Sequence, residues 1–394
     1  MIASSTSPKV GLVLSGGGAR AAYQVGVLKA ISELSDSHCS NPFPIICGTS
    51  AGGLNAAGLA CRADCLSEAV SQLEFVWSNF KTSQVYRTDW MGVLSCAAKF
   101  LWTVSFGRLH KDRPVSLLNN SPLYSLLERE LLLSRLSEMV TSGYLNALCI
   151  TASGYSSGES VSFFQARADI EGWKRARRVG VPTLMRIEHL LASAAIPLLF
   201  PAVHINREYF GDGALRQLAP ISPALHLGAE KILVIGVSNE EQAYRERVDG
   251  YPSIAQTVTS VLNSSFIDSL ESDLERLHRI NKTISHIPPE IREKNTTLRH
   301  IETLVIAPPS KVLDQIAMNY AMDLPRSIRT FVYGSGATKR GGAGVLSYLL
   351  FEGSYCKALI DLGYIDGMGR AEEIKRFLGY DAPHCSNVVP FKSA

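Results

Sequence analysis

The 394-residue chain lacks the features that define several large classes of protein. Its 39 lysine and arginine residues nearly balance 36 acidic ones, so the net charge is only +3. This balance argues against a dedicated nucleic-acid binder, and we predict no nucleic-acid partner. The chain has no internal repeat and no low-complexity segment, and 46% of its residues are hydrophobic. The composition therefore excludes fibrous and wholly disordered proteins and predicts one large domain with an appendage, or two domains.

The chain also lacks the spacings of a metal site and the segments that direct a protein into or across a membrane. Its eight cysteines are scattered, and Cys61 and Cys65 have no second cysteine or histidine pair nearby, so we predict no metal and reduced thiols. The N-terminus has no apolar stretch of the secretory type. The longest apolar candidate, Trp90–Phe106, is interrupted by Lys99 and is too short to span a bilayer comfortably. We expect a cytoplasmic protein, with transient peripheral membrane contact left open.

Apolar runs alternate with helical patterns over the first 240 residues. Val10–Leu14 is a continuous apolar run, which is typical of a buried strand, and residues at helical spacing follow it. Further strands are predicted at Pro44–Cys47, Leu145–Ala152, Ser160–Gln165 and Lys231–Val237. This alternation predicts an α/β sheet with helices on both faces. From about Tyr244 the pattern becomes mainly helical, with one more strand at Glu302–Ala307.

The pentapeptide Gly48-Thr49-Ser50-Ala51-Gly52 lies between a predicted strand and a helix rich in small residues. This context is typical of a nucleophile elbow, in which Gly48 and Gly52 permit a sharp turn that exposes the Ser50 hydroxyl at the start of the helix. The N-terminus of that helix favours negative charge. The alternative is a glycine-rich turn whose serine only caps the helix.

Three successive glycines, Gly16, Gly17 and Gly18, separate the first strand from the first helix. Such a run lets neighbouring N–H groups point at one anionic group, either an oxyanion or a phosphate. The spacing of Gly16, Gly18 and Ala21 also fits the dinucleotide-binding fingerprint, which requires an acidic residue at the end of the second strand. That strand instead runs into the Ser50 turn, so the pattern disfavours a dinucleotide site.

Asp212 lies in the sequence Phe210-Gly211-Asp212-Gly213-Ala214. The flanking glycines predict a tight turn that leaves the carboxylate with little side-chain cover. An ordinary Asp-Gly turn is the alternative interpretation and the more common one for this motif alone. A carboxylate can act as a general base where desolvation raises its pKa, but the motif alone does not assign that role to Asp212.

The glycine loop, the elbow serine and the Asp-Gly turn, in this order, resemble the patatin-like phospholipase family. The resemblance covers Leu12 to Leu227 and includes Ala192–Pro197, although this chain has Ala21 where family members commonly have glycine. It implies a three-layer α/β/α core with a mainly parallel sheet, a catalytic domain at residues 12–227 and no cofactor. Residues 228–394 would supply the remainder of the sheet and a helical C-terminal extension.

The resemblance also implies a catalytic dyad without histidine. Ser50 would be the nucleophile and Asp212 the base, with Gly213 and Ala214 completing the Asp-Gly motif. Gly16, Gly17, Gly18 and Arg20 would form the oxyanion hole. For Arg20 we consider three roles: ordering the loop, attracting a lipid phosphate, or forming a structural ion pair.

The positions of the histidines independently argue against a triad. His189 and His204 precede Asp212 in a predicted helix and strand, and His226 follows it within one short helix. The later histidines at 278, 286, 300 and 384 lie beyond the predicted core. None has the glycine-flanked or strand-end position expected of a catalytic base.

These observations predict a serine acyl hydrolase that cleaves fatty-acyl esters of phospholipids or lysophospholipids through an acyl-enzyme. The alternative is a non-catalytic anionic-ligand-binding or regulatory α/β protein that keeps the glycine loop for its ligand. Trp90–Phe106 and the basic residues that follow it suit an interfacial segment or, alternatively, a core helix and a solvated loop. For the basic cluster Lys174–Arg178 we expect a solvated helix face or a headgroup patch.

Overall fold

The fold is taken from a computed structural model, which describes residues 8–35, 41–89, 116–239, 253–288, 290–292, 298–334 and 343–380, with isolated positions at 91, 95, 98, 102 and 251. In these residues ten strands form one mixed sheet. The strands are β1 Val10–Leu14, β2 Ile45–Thr49, β3 Ala147–Gly154, β4 Ser160–Ala166, β5 Trp173–Arg175, β6 Arg178–Pro182, β7 Val203–Ile205, β8 Glu208–Asp212, β9 Lys231–Ile235 and β10 Glu302–Ile306. Along the sheet the order is β10-β9-β1-β2-β3-β4-β6-β5, with β8 pairing to β3 and β7 to β8.

The centre of the sheet is parallel, as its continuous apolar strands predict. Strand β1 pairs in parallel with β9 on one side and β2 on the other, and Leu14 is in register with both Ile235 and Gly48. Strand β2 pairs in parallel with β3. The carboxyl ends of β1, β2 and β3 therefore meet at one edge of the sheet, where open α/β sheets place their functional loops.

Antiparallel pairing brings the end of β8 to the same edge. Strand β3 pairs antiparallel with β4, to which a hairpin joins it. The carboxyl end of β3 also pairs antiparallel with β8. Ala152 of β3 is opposite Asp212, the last residue of β8. Asp212 consequently lies near the turn that follows β2.

Helices cover both faces of the sheet. They are α1 Ala22–Leu34, α2 Ala51–Ala60, α3 Leu66–Ser78, α4 Thr82–Val85, α5 Ser121–Glu130, α6 Arg135–Thr141, α7 Ile187–Ser193, α8 Ser222–His226, α9 Ile254–Asn263, α10 Ser269–Ser285, α11 Ser310–Asn319, α12 Arg326–Gly334, α13 Ala343–Leu349, α14 Gly353–Gly369 and α15 Ala371–Leu378. A π-helical turn, Ser264–Asp268, joins α9 to α10.

Alternate residues of each central strand enter two different hydrophobic cores. In β1, Leu12 and Leu14 belong to the larger core, whereas Val13 belongs to the smaller one. This alternation follows from the two-residue period of a strand, and it requires a helical layer on each face. The three-layer α/β/α fold and its mainly parallel sheet are therefore confirmed.

The helical C-terminal region packs against the core. Helix α14 lies along α1, and α13 contacts the 3-10 turn Gly18–Ala21 that follows β1. Strands β9 and β10 also come from this region, so it contributes two strands to the sheet. The boundary at residues 227/228 stays a prediction.

Two sequence interpretations concern the surface. Lys174–Arg178 does not form a helix face: it spans a β-hairpin of β5 and β6, with Arg177 in the left-handed conformation at the turn (φ 56°). The interfacial segment Trp90–Phe106 and the basic residues after it fall almost entirely outside the described residues. Among the helices that are described, we find none with the length and hydropathy needed to cross a bilayer.

Candidate active site

Ser50 occupies a sharp turn between β2 and α2. Its backbone dihedrals are φ 54° and ψ −130°, a region that serine rarely adopts and that is common at catalytic turns. Gly52 permits the turn because a Cβ there would lie 2.4 Å from the carbonyl oxygens of Leu14 and Ser15. The glycine therefore lets α2 begin directly against the end of β1.

Asp212 forms a direct hydrogen bond with the elbow serine. The Ser50 hydroxyl donates to Asp212 Oδ2 at 2.7 Å, and the backbone N–H of Ala214 donates to Oδ1 at 3.0 Å. The turn after Asp212 requires glycine because a Cβ on Gly213 would lie 2.1 Å from the carbonyl oxygen of Thr151. Only 2% of Ser50 and 1% of Asp212 is exposed, so the pair is shielded from bulk water.

Burial changes the acidity of this carboxyl group. Desolvation raises the pKa of Asp212 from its ordinary 3.8 to about 7, because the hydrogen bonds from Ser50 and Ala214 offset only part of the cost of burying the charge. A general base works best when its pKa lies near the working pH. Asp212 thus has the acidity that proton transfer from a serine hydroxyl requires near neutrality.

A run of small residues at the end of α7 supports both members of the pair. The backbone N–H of Ser50 donates to Ser193 Oγ at 2.8 Å, and the Ser193 hydroxyl donates to the carbonyl oxygen of Thr151 at 2.6 Å. The backbone N–H of Asp212 donates to the carbonyl oxygen of Ala195 at 2.8 Å. The sequence singled out Ala192–Pro197 only as part of a resemblance and gave it no role. Its run of small residues was the available signal.

The glycine loop lies directly beside Ser50. A Cβ on Gly16 would lie 3.0 Å from the Cβ of Ser50 and 2.5 Å from the ring of Phe266. Gly18 begins the 3-10 turn, and the first N–H groups of such a turn have no partner within it. The loop backbone therefore lies where negative charge would develop if Ser50 attacked a carbonyl group.

Arg20 is fully buried and faces the C-terminal region. Its guanidinium donates to Asp314 Oδ1 at 2.9 Å, to Ser347 Oγ at 2.8 Å and to the Tyr348 hydroxyl at 3.3 Å. It also lies 4.0 Å from the centre of the Tyr348 ring. Of the three roles considered, the contacts match a structural ion pair that orders the loop. A fully buried side chain does not attract a lipid phosphate from solvent.

The core histidines lie apart from Ser50 and Asp212. The Nδ1 of His189 accepts a hydrogen bond from the backbone N–H of Arg186 at 3.0 Å, and burial lowers the pKa of His189 to about 4. His204 packs against Tyr209, and His226 stacks on Trp173. Over the described residues, the hydrogen bonds of the Ser50 and Asp212 side chains are those given above. No histidine takes part in them.

Together, the fold and the site define an α/β protein with a serine–aspartate pair at the carboxyl edge of its sheet. The family model described as patatin-like phospholipase matches residues 12–225, which is more than half of the chain. The chain therefore belongs to the patatin-like phospholipase family, and the family predicted from the sequence is confirmed.

Individual relatives are distant. A cGAMP-activated phospholipase from Pseudomonas aeruginosa is 25% identical over 215 residues, which cover 55% of this chain and 55% of the relative. Human GIVD cytosolic phospholipase A2 is 13% identical, with a TM-score of 0.43, over 94% of this chain and 60% of that one. VipD from Legionella pneumophila is 11% identical, with a TM-score of 0.28, over 95% of this chain and 90% of that one. The chain thus spans little more than half the length of the curated relative.

Proposed function

We propose that the chain is a serine acyl hydrolase that cleaves fatty-acyl esters of phospholipids or lysophospholipids with a Ser50–Asp212 dyad. The observation that carries the proposal is the 2.7 Å hydrogen bond from the Ser50 hydroxyl to a buried carboxyl group whose pKa is raised to about 7. Membership of a family of lipid acyl hydrolases supports the same assignment.

The acylation step uses the two side chains in turn. Ser50 Oγ attacks the ester carbonyl carbon while its proton passes to Asp212 Oδ2, and the carbonyl electron pair moves onto oxygen. Backbone N–H groups of Gly17 and Gly18 stabilise this oxyanion. The intermediate then collapses, the bond to the alcohol oxygen breaks, and Asp212 returns the proton to the leaving alcohol.

Deacylation repeats the sequence with water. Asp212, again ionised, accepts a proton from a water molecule that attacks the acyl-enzyme carbonyl, and the second oxyanion occupies the same loop. Collapse of this intermediate breaks the bond to Ser50 Oγ and returns the proton to it. The fatty acid leaves, and the dyad is restored without a cofactor.

A fluorophosphonate probe tests the proposal, because it reacts covalently with an activated serine. We expect labelling of Ser50 in the folded protein, detected by peptide mass spectrometry, and at least about a thousandfold loss of hydrolysis in Ser50→Ala. Ser134→Ala is the matched control, since it makes the same change at an exposed position. A lipid panel, with released fatty acids and lysolipids quantified by mass spectrometry, separates phospholipid from lysophospholipid activity.

The assays should be run with and without cGAMP, because the relative from Pseudomonas aeruginosa is a cGAMP-activated phospholipase. This arm distinguishes a protein that needs an activator from one without catalytic ability. A folded protein that neither reacts with the probe nor hydrolyses any lipid under either condition would contradict the proposal and favour the regulatory, anionic-ligand-binding alternative.

A further inference from the structure

Two adjacent apolar cavities lie in succession from Ser50 along α2, and we call the two together the path. The first, of about 30 Å³, is lined by Ser50 and Gly18 at one end. The second, of about 50 Å³, lies between α2, α3 and α5. The two cavities share the wall residues Leu54, Trp77, Phe80 and Leu123. Volumes this small suit a linear group better than a bulky one.

The chemistry of the lining changes along the path. Between its ends the walls are leucine, phenylalanine and tryptophan, and the indole N–H of Trp77 is already bonded to Asn55 Oδ1 at 2.8 Å. The charged and amide side chains of Arg62, Gln72 and Glu130 are partly exposed and mark the end toward solvent. The path therefore has a reactive hydroxyl at one end, an apolar interior and a polar rim.

The length of the path can be estimated from the residues of α2 that line it. Ser50, Leu54 and Gly58 lie on successive turns along its lined face, so Ser50 and Gly58 are separated by about 12 Å along the axis at 1.5 Å per residue. An extended chain advances about 1.2 Å per bond, as three backbone bonds span roughly 3.5 Å. About ten chain bonds therefore separate the nucleophile from the level of Gly58.

We propose that this path holds the acyl chain of the ester substrate and that Gly58 sets the chain length it accepts. The inference rests on the proposed function, because the occupant is identified by the serine at the head of the path. An acyl chain is the group that is joined to the attacked carbonyl and is also linear and apolar. Its occupation requires the leucine side chains between the two cavities to move apart.

Gly58 is the natural position at which to block the path. Glycine within a helix is unfavourable relative to alanine, so its presence in α2 calls for a spatial reason. A Cβ on Gly58 would lie 2.7 Å from Leu73 Cδ2, and Gly58 lines the second cavity. A larger side chain would displace Leu73 or occupy the second cavity, and Gly58 does not line the cavity at Ser50.

The first test compares p-nitrophenyl butyrate, decanoate and palmitate. We expect kcat/KM of the wild-type protein to rise from butyrate to decanoate. In Gly58→Leu we expect kcat/KM to stay within about twofold for butyrate and to fall at least about tenfold for decanoate. Gly58→Ala, which improves helix propensity, should give a smaller change in the same direction. Gly369→Leu is the matched control, because that helical glycine faces open space.

Equal losses for butyrate and decanoate in a folded Gly58→Leu protein would overturn the inference, as would an unchanged chain-length profile.

A second readout does not depend on hydrolysis. Decanoic acid brominated at mid-chain should quench Trp77 fluorescence saturably in Ser50→Ala, and the quenching should be lost in Ser50→Ala/Gly58→Leu and in Ser50→Ala/Trp77→Phe. If no ester is hydrolysed but Trp77 is quenched, the proposed function fails and the binding path stands. Absence of quenching in Ser50→Ala would overturn the path.

Discussion

Replacing Asp212 by asparagine should abolish activity and yet stabilise the protein at alkaline pH. Burial raises the pKa of Asp212 from 3.8 to about 7, which corresponds to about 4 kcal/mol of free energy that disfavours the folded carboxylate. Asparagine keeps an oxygen that can accept the N–H of Ala214, and its amide can donate to Ser50. The variant therefore loses the cost of burying the charge while it keeps the shape of the turn.

The direction of the Asp212 pKa shift determines the pH range over which the wild-type protein loses stability. Because the pKa in the folded state is higher than in the unfolded state, the folded protein binds the proton more tightly. The stability of the wild-type protein falls as pH rises from about 4 to about 7 and changes no further for this reason above that range. At about 2.1 cal/mol/K of unfolding entropy per residue over 394 residues, 4 kcal/mol corresponds to about 5 °C in Tm. This value is an upper bound for Asp212→Asn at pH 8.

Thermal unfolding followed by circular dichroism from pH 4.5 to pH 8.5 measures the difference. We expect the Tm of Asp212→Asn to approach that of the wild-type protein at the acidic end, to exceed it increasingly up to about pH 7, and to differ by a constant amount above that pH. Asp361→Asn is the control, since it removes a carboxylate from an exposed position on α14. A Tm difference that does not change with pH, or a less stable Asp212→Asn protein at pH 8, would refute a desolvated base at this position.

Three further predictions concern the dyad and its surroundings. The kcat/KM for a neutral p-nitrophenyl ester should rise about tenfold per pH unit up to about pH 7 and then level off, because only ionised Asp212 accepts the Ser50 proton; a plateau reached by pH 5 would contradict the raised pKa. Ser193→Ala should lower kcat about ten- to a hundredfold with little change in KM, since the buried N–H of Ser50 loses its acceptor, whereas a uniform rise in KM would indicate a binding role. His189→Gln, His204→Gln and His226→Gln, made singly, should each leave kcat/KM within about tenfold, and a thousandfold loss in any folded variant would restore a triad.

The parts of the site that depend on local backbone geometry could be predicted from the sequence. A sharp turn before a helix requires glycine at position 52, and the turn after Asp212 requires Gly213 because the carbonyl oxygen of Thr151 lies where a Cβ would be. Such requirements restrict the residue types at neighbouring positions, so they are visible in the sequence. The elbow, the glycine loop and the Asp-Gly motif were predictable for this reason.

Contacts between distant segments do not restrict neighbouring positions in this way, so the sequence does not reveal them. Ser193 bonds to the backbone of Ser50 across 143 positions, and Arg20 bonds to Asp314 across 294. Neither serine nor arginine has a local spacing that identifies its partner. The helix face expected at Lys174–Arg178 was wrong for a related reason. Charged residues indicate exposure, but they do not indicate the left-handed conformation of Arg177, which closes the hairpin.

Residues of the C-terminal region contact the glycine loop beside Ser50. The π-helical turn Ser264–Asp268 places the Phe266 ring against Gly16, and Phe266 stacks on Tyr348 with ring centres 5.6 Å apart. Tyr348 in turn lies under the guanidinium of Arg20, whose charge is paired with Asp314. The loop beside Ser50 is therefore held in place by residues that follow the segment matched by the family model. Because β9, from the same later region, pairs with β1 at the centre of the sheet, we expect the two regions to fold as one unit and the loop to keep its geometry only when both are present.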